Sequence, residues 1–389
     1  MGNEHTSSAE ELLDREFQLR SGLIHLNHAG VAPWPTRTAR AVQRFAEENV
    51  RQSSCNYAAE WLGVEAELRA KAALLMNAPS AGDIALLKNT SEALSVVAYG
   101  IDWRAGDNIV SSDQEFPSNR IVWESLAACG VELREADLAS AATPEGALFA
   151  LVDGRTRLVT ISSVQFGTGL RMDLSRIGEL CRKRGILFCI DAIQSLGAAA
   201  FDVREVEADF VMADGHKWML GPEGLALFYA RPGARDRLRL TQYGWHMVDP
   251  LGDFDTREWS VAKTARRFEC GSPNMLGIHG LDASLSLLLE TGMEEVERRV
   301  SARAAHLFDR IRSEAALELV TPGEPGRSAG IVTFRLRDTD PAPLYRHLMQ
   351  HDVLCALRSG GIRLSPHFYT PLDQLDHVMA MIADYLKRV

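Results

Sequence analysis

The sequence predicts an α/β protein: a mostly parallel sheet covered by helices on both faces, followed by a smaller C-terminal α+β domain. Three observations predict it. Between about residues 60 and 260, apolar, β-branched-rich runs of strand length alternate with helical runs, the pattern of strands buried on both faces by crossover helices. After about residue 275 the texture changes to long helices and short strands. The chain of 389 residues also exceeds the roughly 100–200 residues of one ordinary domain.

The elements follow in order. "DIALLKN", from Asp83, is an apolar run that stops at Asn89; "TSEALSVVAYG" then sets Thr90 and Ser91 as capping residues ahead of apolar positions at helical spacing. "DNIVSSD", from Asp107, reads as strand, and "SNRIVWESLAACG" as a helix ended by Gly130. "TRLVTISSVQF", "GILFCIDAIQS" and "ADFVMADGHK" are three further strand-like runs. "LSRIGELCRKRG", Leu174 to Gly185, stands between the first two as an amphipathic helix closed by glycine. "ALFYARPG" adds one more strand. Beyond it, "GIHGLDASLSLLLETGMEEVERRVSARAAHLFDRIR" reads as one long helical stretch. "GIVTFRL", "VLCALR" and "GIRLSP" read as short strands, and "LDQLDHVMAMIADYL" as a last helix. The expected division is a large domain over 31–270 and a small one over 271–389, with residues 1–30 packed against the latter.

Composition narrows the function. The apolar share of 46% and charged share of 24% are those of an ordinary globular protein. Forty-two basic against 52 acidic residues leave a net charge of −10, which disfavours a nucleic-acid surface. The six cysteines lie far apart with no C-x-x-C, so neither a metal site nor a disulfide scaffold is expected. The first twenty residues are polar and acidic, without the apolar core of a secretory signal. Gly2 and Thr6 fit the loose myristoylation pattern, but a flexible tail is the preferred reading of that segment. No apolar run approaches the ~20 residues of a membrane span. A cytoplasmic protein acting on small molecules, with no nucleic-acid or membrane partner, is the expectation.

The residues at the strand ends point to chemistry. Asn89-Thr90-Ser91 opens a helix, where backbone N–H groups, the macrodipole and two hydroxyls favour an anion. Asp191 ends the apolar run "GILFCI", with Gln194 three residues on. A carboxylate there is costly to bury unless it caps a helix or meets a cation. Lys217, in "ADFVMADGHKWMLGPEG", stands between an apolar run and a glycine-rich turn, either as a solvated cation at a strand end or as an imine-forming amine held in a pocket. Ala213, Gly215, Gly221 and Gly224 are expected to leave room for a ligand beside the backbone. An anion-binding helix start, an acid and an imine-forming lysine on successive strands are what pyridoxal 5′-phosphate requires for its phosphate, pyridinium and aldehyde.

With these residues in order, the chain resembles the class V aminotransferase group of fold-type I enzymes, which includes cysteine desulfurases, selenocysteine lyases and isopenicillin N epimerase-like proteins. The resemblance runs from "HLNHAGVAPWP" through "DQEFPSNR", "IDAIQS", "DGHKWMLGPEG" and "RFECGSPN" to "GIRLSPHFYTP". It implies that Lys217 bonds to the aldehyde and later carries the Cα proton, and that Asp191 keeps the pyridine nitrogen protonated. It implies that Gln194 bonds the phenolic oxygen, Phe116 stacks on the ring, and Thr90, Ser91 and His216 hold the phosphate. Ser272 would reach the phosphate of a second subunit, making a homodimer. Arg363 would grip the substrate α-carboxylate through its fork, with Asn27 and His28 nearby.

Single-residue alternatives stand beside these roles: Phe116 as plain core, Arg363 paired with an internal acid, His28 and His216 as packing histidines. Two departures from the family pattern matter. Asp214 occupies a place often filled by a phosphate-binding serine, so it is expected to point elsewhere or to meet a cation. Only "SGG" separates Arg358 from Ile362, where many desulfurases carry a catalytic cysteine; Cys355 lies in a strand-like run instead. The expected activity is β-elimination from a sulfur- or selenium-containing amino acid, or epimerisation, with transamination next. A non-catalytic ligand-binding regulator is the alternative of another class. A nicotinamide-dependent dehydrogenase is set aside because the first turn lacks G-x-G-x-x-G.

Overall fold

The computed structural model describes residues 11–388; Gly2 and Thr6 lie outside them. A two-residue strand, β1 (Ile24–His25), precedes a seven-stranded sheet. That sheet comprises β2 (Ile84–Leu87), β3 (Asn108–Ser112), β4 (Glu132–Ala136), β5 (Thr156–Ser162), β6 (Leu187–Asp191), β7 (Phe210–Asp214) and β8 (Ala226–Ala230). The spatial order is β2-β8-β7-β6-β5-β3-β4. Only β8 runs against its neighbours, so β2 to β7 all point the same way.

Strand side chains alternate between two cores. Ile84, Leu86, Phe188, Ile190, Val211 and Ala213 face one cluster; Ala85, Leu87, Leu187, Cys189, Phe210 and Met212 face the other. Both faces are therefore dry, and the strands read as continuous apolar runs. The edge strand β4, "ELREA", is the polar exception, with Glu132 and Glu135 exposed.

Two short strands, β9 (Val248–Asp249) and β10 (Ser260–Val261), form a ribbon in a segment rich in exposed aromatics. Tyr243 is 65% exposed, Phe254 75% and Trp259 57%, and they border a surface cavity of about 340 Å³. The C-terminal part of the chain holds an antiparallel sheet of β11 (Leu317–Leu319), β12 (Val332–Leu336), β14 (Ala356–Arg358) and β15 (Gly361–Leu364), in the order β11-β12-β15-β14. Between them β13 (Val353–Leu354) pairs in parallel with β1. The N-terminal Ile24 and Leu26 share the small domain's core with Leu307, Phe334, Leu364 and Val378.

Local differences from the sequence reading have physical causes. The cap of helix Thr90–Gly100 is Asn89, whose side chain accepts the Glu92 N–H at 2.8 Å, rather than Thr90 or Ser91. The long helical stretch breaks at Gly292, whose φ of +83° cannot continue a helix. The first half, Met275–Thr291, packs on helices Thr36–Gln52 and Leu62–Leu75 within the large-domain core. The second, Met293–Arg312, gives Val296 and Val300 to that core but Leu307, Phe308 and Ile311 to the small one. The two cores thus meet along one helix. "VLCALR" is two strands interrupted at Cys355.

A buried ionic network fixes the segment before the small domain. Arg69 donates to Glu65 and, through Nη2 at 2.8 Å, to Glu269, whose Oε1 also accepts the Leu86 N–H at 2.9 Å. His246 lies between the same two carboxylates, 3.8 Å from Glu65 and 3.5 Å from Glu269. Both carboxylates already have the Arg69 guanidinium as their counter-charge. Removing one member of such a network strands buried charge, at about 3–5 kcal/mol. Arg69→Met is therefore expected to lower stability by about 3 kcal/mol, read as a drop in the urea midpoint.

Candidate active site

Because β2, β3, β5, β6 and β7 are parallel, the residues that follow them emerge at one end of the sheet, the place where ligands of such sheets collect. A cavity of about 410 Å³ opens there, within the range of small-molecule sites. Its walls include Thr90, Ser91, Phe116, Asp191, Gln194, His216, Lys217 and Arg363. Hairpin β14–β15 of the small domain supplies Arg363 and, in addition, Arg358.

Lys217 follows β7 with its Nζ 5.6 Å from the centre of the Phe116 ring. Burial draws its amine below the usual lysine value; Asp191 pulls it back up, while Arg363 pushes the same way as burial. Asp191 ends β6 at 3% exposure. Its hydrogen bond comes from the Ile193 N–H, at 3.0 Å to Oδ1. No cation stands within ion-pair distance of it among the described residues, and burial raises its carboxyl.

A second buried acid, Glu115, adds to that rise. It accepts from the Ser162 N–H at 2.9 Å, Gln165 Nε2 at 2.8 Å, Asn119 Nδ2 at 2.7 Å and the Ser112 hydroxyl at 3.2 Å. Burial raises its carboxyl and these donors draw it down. Glu115 was not singled out from sequence; the signal was an acid directly before Phe116, three residues past the end of β3.

Arg363 is 2% exposed. Its Nη1 donates to the Phe166 carbonyl at 2.8 Å and its Nη2 to Asn27 Oδ1 at 3.0 Å. Its Nε is buried without a partner. No internal acid pairs with it among the described residues, so that alternative is removed. A guanidinium buried without a carboxylate is set up for an incoming anion.

At the helix start, Asp214 was expected to point elsewhere or to meet a cation; it walls the cavity, with the His216 ring beside it. Its Oδ1 accepts the Thr90 N–H at 3.1 Å, its own N–H donates to Thr90 Oγ1 at 3.1 Å, and Oδ2 lies 3.9 Å from His216 Nδ1. Burial raises Asp214 to about 6 and lowers His216 to about 4. One backbone donor of the expected anion site is thus already engaged. The Ser91 hydroxyl donates to Ser118 at 2.8 Å, bringing in a further wall residue. Gln194 is held at both ends: Nε2 donates to the Ala29 carbonyl at 3.1 Å, and Oε1 accepts the Trp218 indole N–H at 2.9 Å.

Other residues fall elsewhere. His28 is 0% exposed and is not a wall of the cavity. Its Nδ1 bonds the Ser365 carbonyl at 2.8 Å and its Nε2 the Tyr369 hydroxyl at 2.7 Å, so it packs rather than faces substrate. Asn27 reaches the site through Arg363. Ser272 is exposed and lies outside this cavity. Ala213, Gly215, Gly221 and Gly224 are not walls either. A Cβ on Gly215 or Gly221 would meet Leu281 at 3.0 or 2.6 Å, so these glycines admit the helix Met275–Thr291 rather than a ligand.

The layered sheet with a lysine, a buried acid and a helix start at one end has the architecture of the fold-type I enzymes. Residues 24–371 match the family model Aminotransferase class-V, and the chain belongs to that family. It is 29% identical to a probable cysteine desulfurase of Methanothermobacter thermautotrophicus, over 93% of this chain and 94% of that one. It is 29% identical to isopenicillin N epimerase of Streptomyces clavuligerus, over 76% and 78%. The fold superposes on an apo cysteine desulfurase of Thermococcus onnurineus with a TM-score of 0.86 at 21% identity, covering 97% and 98%. It also superposes on a C-DES mutant carrying glycine covalently linked to its PLP cofactor, with a TM-score of 0.87 at 22% identity, covering 94% and 97%.

Asp214 gives a pH signature. A carboxyl raised from 3.8 to about 6 favours the native state only when protonated. It withdraws stability as pH climbs between those values, and the cost is constant above them. Asp214→Asn keeps the acceptor for Thr90 and removes the charge. The apoprotein variant is expected to gain up to about 3 kcal/mol at pH 7 and almost nothing at pH 4, read from urea midpoints at the two pH values.

Proposed function

We propose that this chain is a pyridoxal 5′-phosphate enzyme that acts on an α-amino acid by removing its Cα proton, and that it works as a homodimer in the cytoplasm. The observation that carries this is the sharing of one cavity by Lys217, Asp191 and the unpaired guanidinium of Arg363. The residues fit the cofactor. Asp191 is a buried carboxylate without a cation, as a pyridinium partner must be, and His216 Nδ1 is buried without a hydrogen bond. Lys217 is an amine whose proton is weakened by burial.

In this reading Lys217 would bond the aldehyde, Asp191 would serve the ring nitrogen and Gln194 the phenolic oxygen. Phe116 would cover the ring, and Thr90, Ser91 and His216 would take the phosphate. When bound, the cofactor supplies an electron sink next to the substrate's Cα. Arg363, oriented by Asn27 and Phe166, would hold the α-carboxylate. Lys217 would accept the Cα proton as a free amine, and its depressed basicity suits the task near neutral pH.

Relatives named cysteine desulfurase and isopenicillin N epimerase support β-elimination or epimerisation over transamination. Burial pushes the Cys355 thiol up to about 12, and no cysteine walls the cavity among the described residues. An elimination here therefore proceeds without a protein-borne persulfide. The exposed Ser272 and the aromatic segment around Tyr243, Phe254 and Trp259 suit a second copy of the chain. Among the described residues, no helix is long and apolar enough to cross a membrane.

The purified protein is expected to be yellow with added cofactor, with a visible band that borohydride bleaches and Lys217→Ala abolishes. A colourless protein indifferent to the cofactor sinks the proposal. Asp191→Asn is expected to lower kcat/KM by roughly 10²–10³, measured on whichever amino acid scores in a screen for keto acid, sulfide and loss of optical activity. Sedimentation should give a dimer; a fully active monomer would overturn that part.

A further inference from the structure

We propose that Arg358 selects the substrate's side chain, and that the preferred substrates are α-amino acids whose side chain ends in a second acidic group. The inference deepens the reading of the cavity as an α-amino-acid site and rests on it.

The register of the hairpin places the two arginines together. Ala356 pairs with Arg363 and Arg358 pairs with Gly361, so Arg358 and Arg363 lie on the same face as diagonal neighbours, about 7–8 Å apart at Cα. Gly361, directly opposite Arg358, has no side chain to separate them. Both arginines wall the same cavity.

Neither guanidinium has an acid. Arg363 is committed to the Phe166 carbonyl and Asn27, with Nε unpartnered. Arg358 makes one hydrogen bond, from Nη1 to the carbonyl of its own neighbour Leu357 at 2.7 Å. No carboxylate stands within ion-pair distance of either among the described residues. The field of Arg358 nonetheless reaches the reactive groups: it opposes the protonated forms of both Lys217 and Arg363.

The charge ledger of the site leaves Arg358 over. A substrate's α-carboxylate answers Arg363, and its amino group takes the place of the Lys217 amine. The cofactor phosphate is assigned to the helix start at the far side. A neutral side chain leaves Arg358 facing water, whereas an acidic one bridges to it.

Arg358 is also held. The hairpin closes through Ser359 at φ +48° and Gly360 at φ +68°, the two positive dihedrals of a tight type I′ turn. A Cβ on Gly167 would stand 2.2 Å from Ser359 Oγ, so the turn sits directly on that glycine. The Arg363 bond to Phe166 and the Thr333 hydroxyl bond to the Gly167 carbonyl, at 2.7 Å, clamp the same contact. The turn thus fixes where the Arg358 side chain starts and limits the part of the pocket its guanidinium reaches.

The test uses the holoenzyme with bound pyridoxal phosphate and α-methyl amino acids, which lack the Cα proton. Binding is read from the change in the cofactor's visible band. Wild type is expected to bind 2-methylaspartate or 2-methylglutamate about 10- to 100-fold tighter than isovaline, the worth of one charge-assisted hydrogen bond. 2-Methylornithine should bind weakest. Arg358→Gln should weaken only the acidic ligands and erase the preference, while Arg363→Gln weakens acidic and neutral ligands alike. Steady-state kcat/KM over aspartate, glutamate, 2-aminobutyrate and ornithine should show the same split.

Equal binding of acidic and neutral ligands by wild type overturns the proposal, and so does an Arg358→Gln variant that weakens both classes equally. If the cofactor binds but none of these ligands perturbs its band, the amino-acid reading falls as well. Retained amino-acid binding with no acidic preference sinks the Arg358 role alone.

Discussion

Buried charge without a partner is the constraint around which this molecule is arranged. Lys217, Asp191 and Arg363 each sit largely out of water, and none has an opposite charge in hydrogen-bond contact among the described residues. Isolated, each would relax by rotating out or by changing its protonation. The surrounding structure prevents the first route. Asp191 closes a central strand, Lys217 follows the neighbouring one, and Arg363 is tied to a carbonyl and an amide. Two dry cores, one on each face of the sheet, make that scaffold rigid enough to hold the strain.

The cavity belongs to two cores at once. Its floor comes from the carboxyl ends of the large sheet and its rim from a hairpin of the small one. The helix Met293–Arg312 contributes to both cores, and β1 ties the N-terminal segment to β13. The distance between the arginine fork and the lysine is thereby set by packed elements rather than by a linker. This is what positioning to within an ångström demands of a protein.

Much of this was legible in the sequence because buried parallel strands announce themselves as apolar runs, and their last polar residues are the ones that reach a ligand. Asp191, Lys217, Thr90 and Ser91 were singled out in that way, whereas Phe116 entered only through the family resemblance. What could not be read depends on contacts between distant parts of the chain. Gly215 and Gly221 have the composition of a ligand cradle, but only the packed helix shows that Leu281 fills the space. His28 looks like a site residue until Ser365 and Tyr369 are brought to it from more than 330 residues away. Asp214 looked out of place until Thr90, 124 positions earlier, was seen to answer it. Glu115 escaped notice because its donors come from three separate segments.

The seat of the β14–β15 turn on Gly167 carries an evolutionary consequence. A side chain at 167 would lift the hairpin, and lengthening the turn would unseat it, so neither change offers a gradual route to a new specificity. Position 358 has no such debt, since its side chain supports nothing else in the fold. Exchange of that one exposed residue would alter the charge facing the pocket and raise the basicity of Lys217 slightly, without moving the backbone that carries the reactive groups.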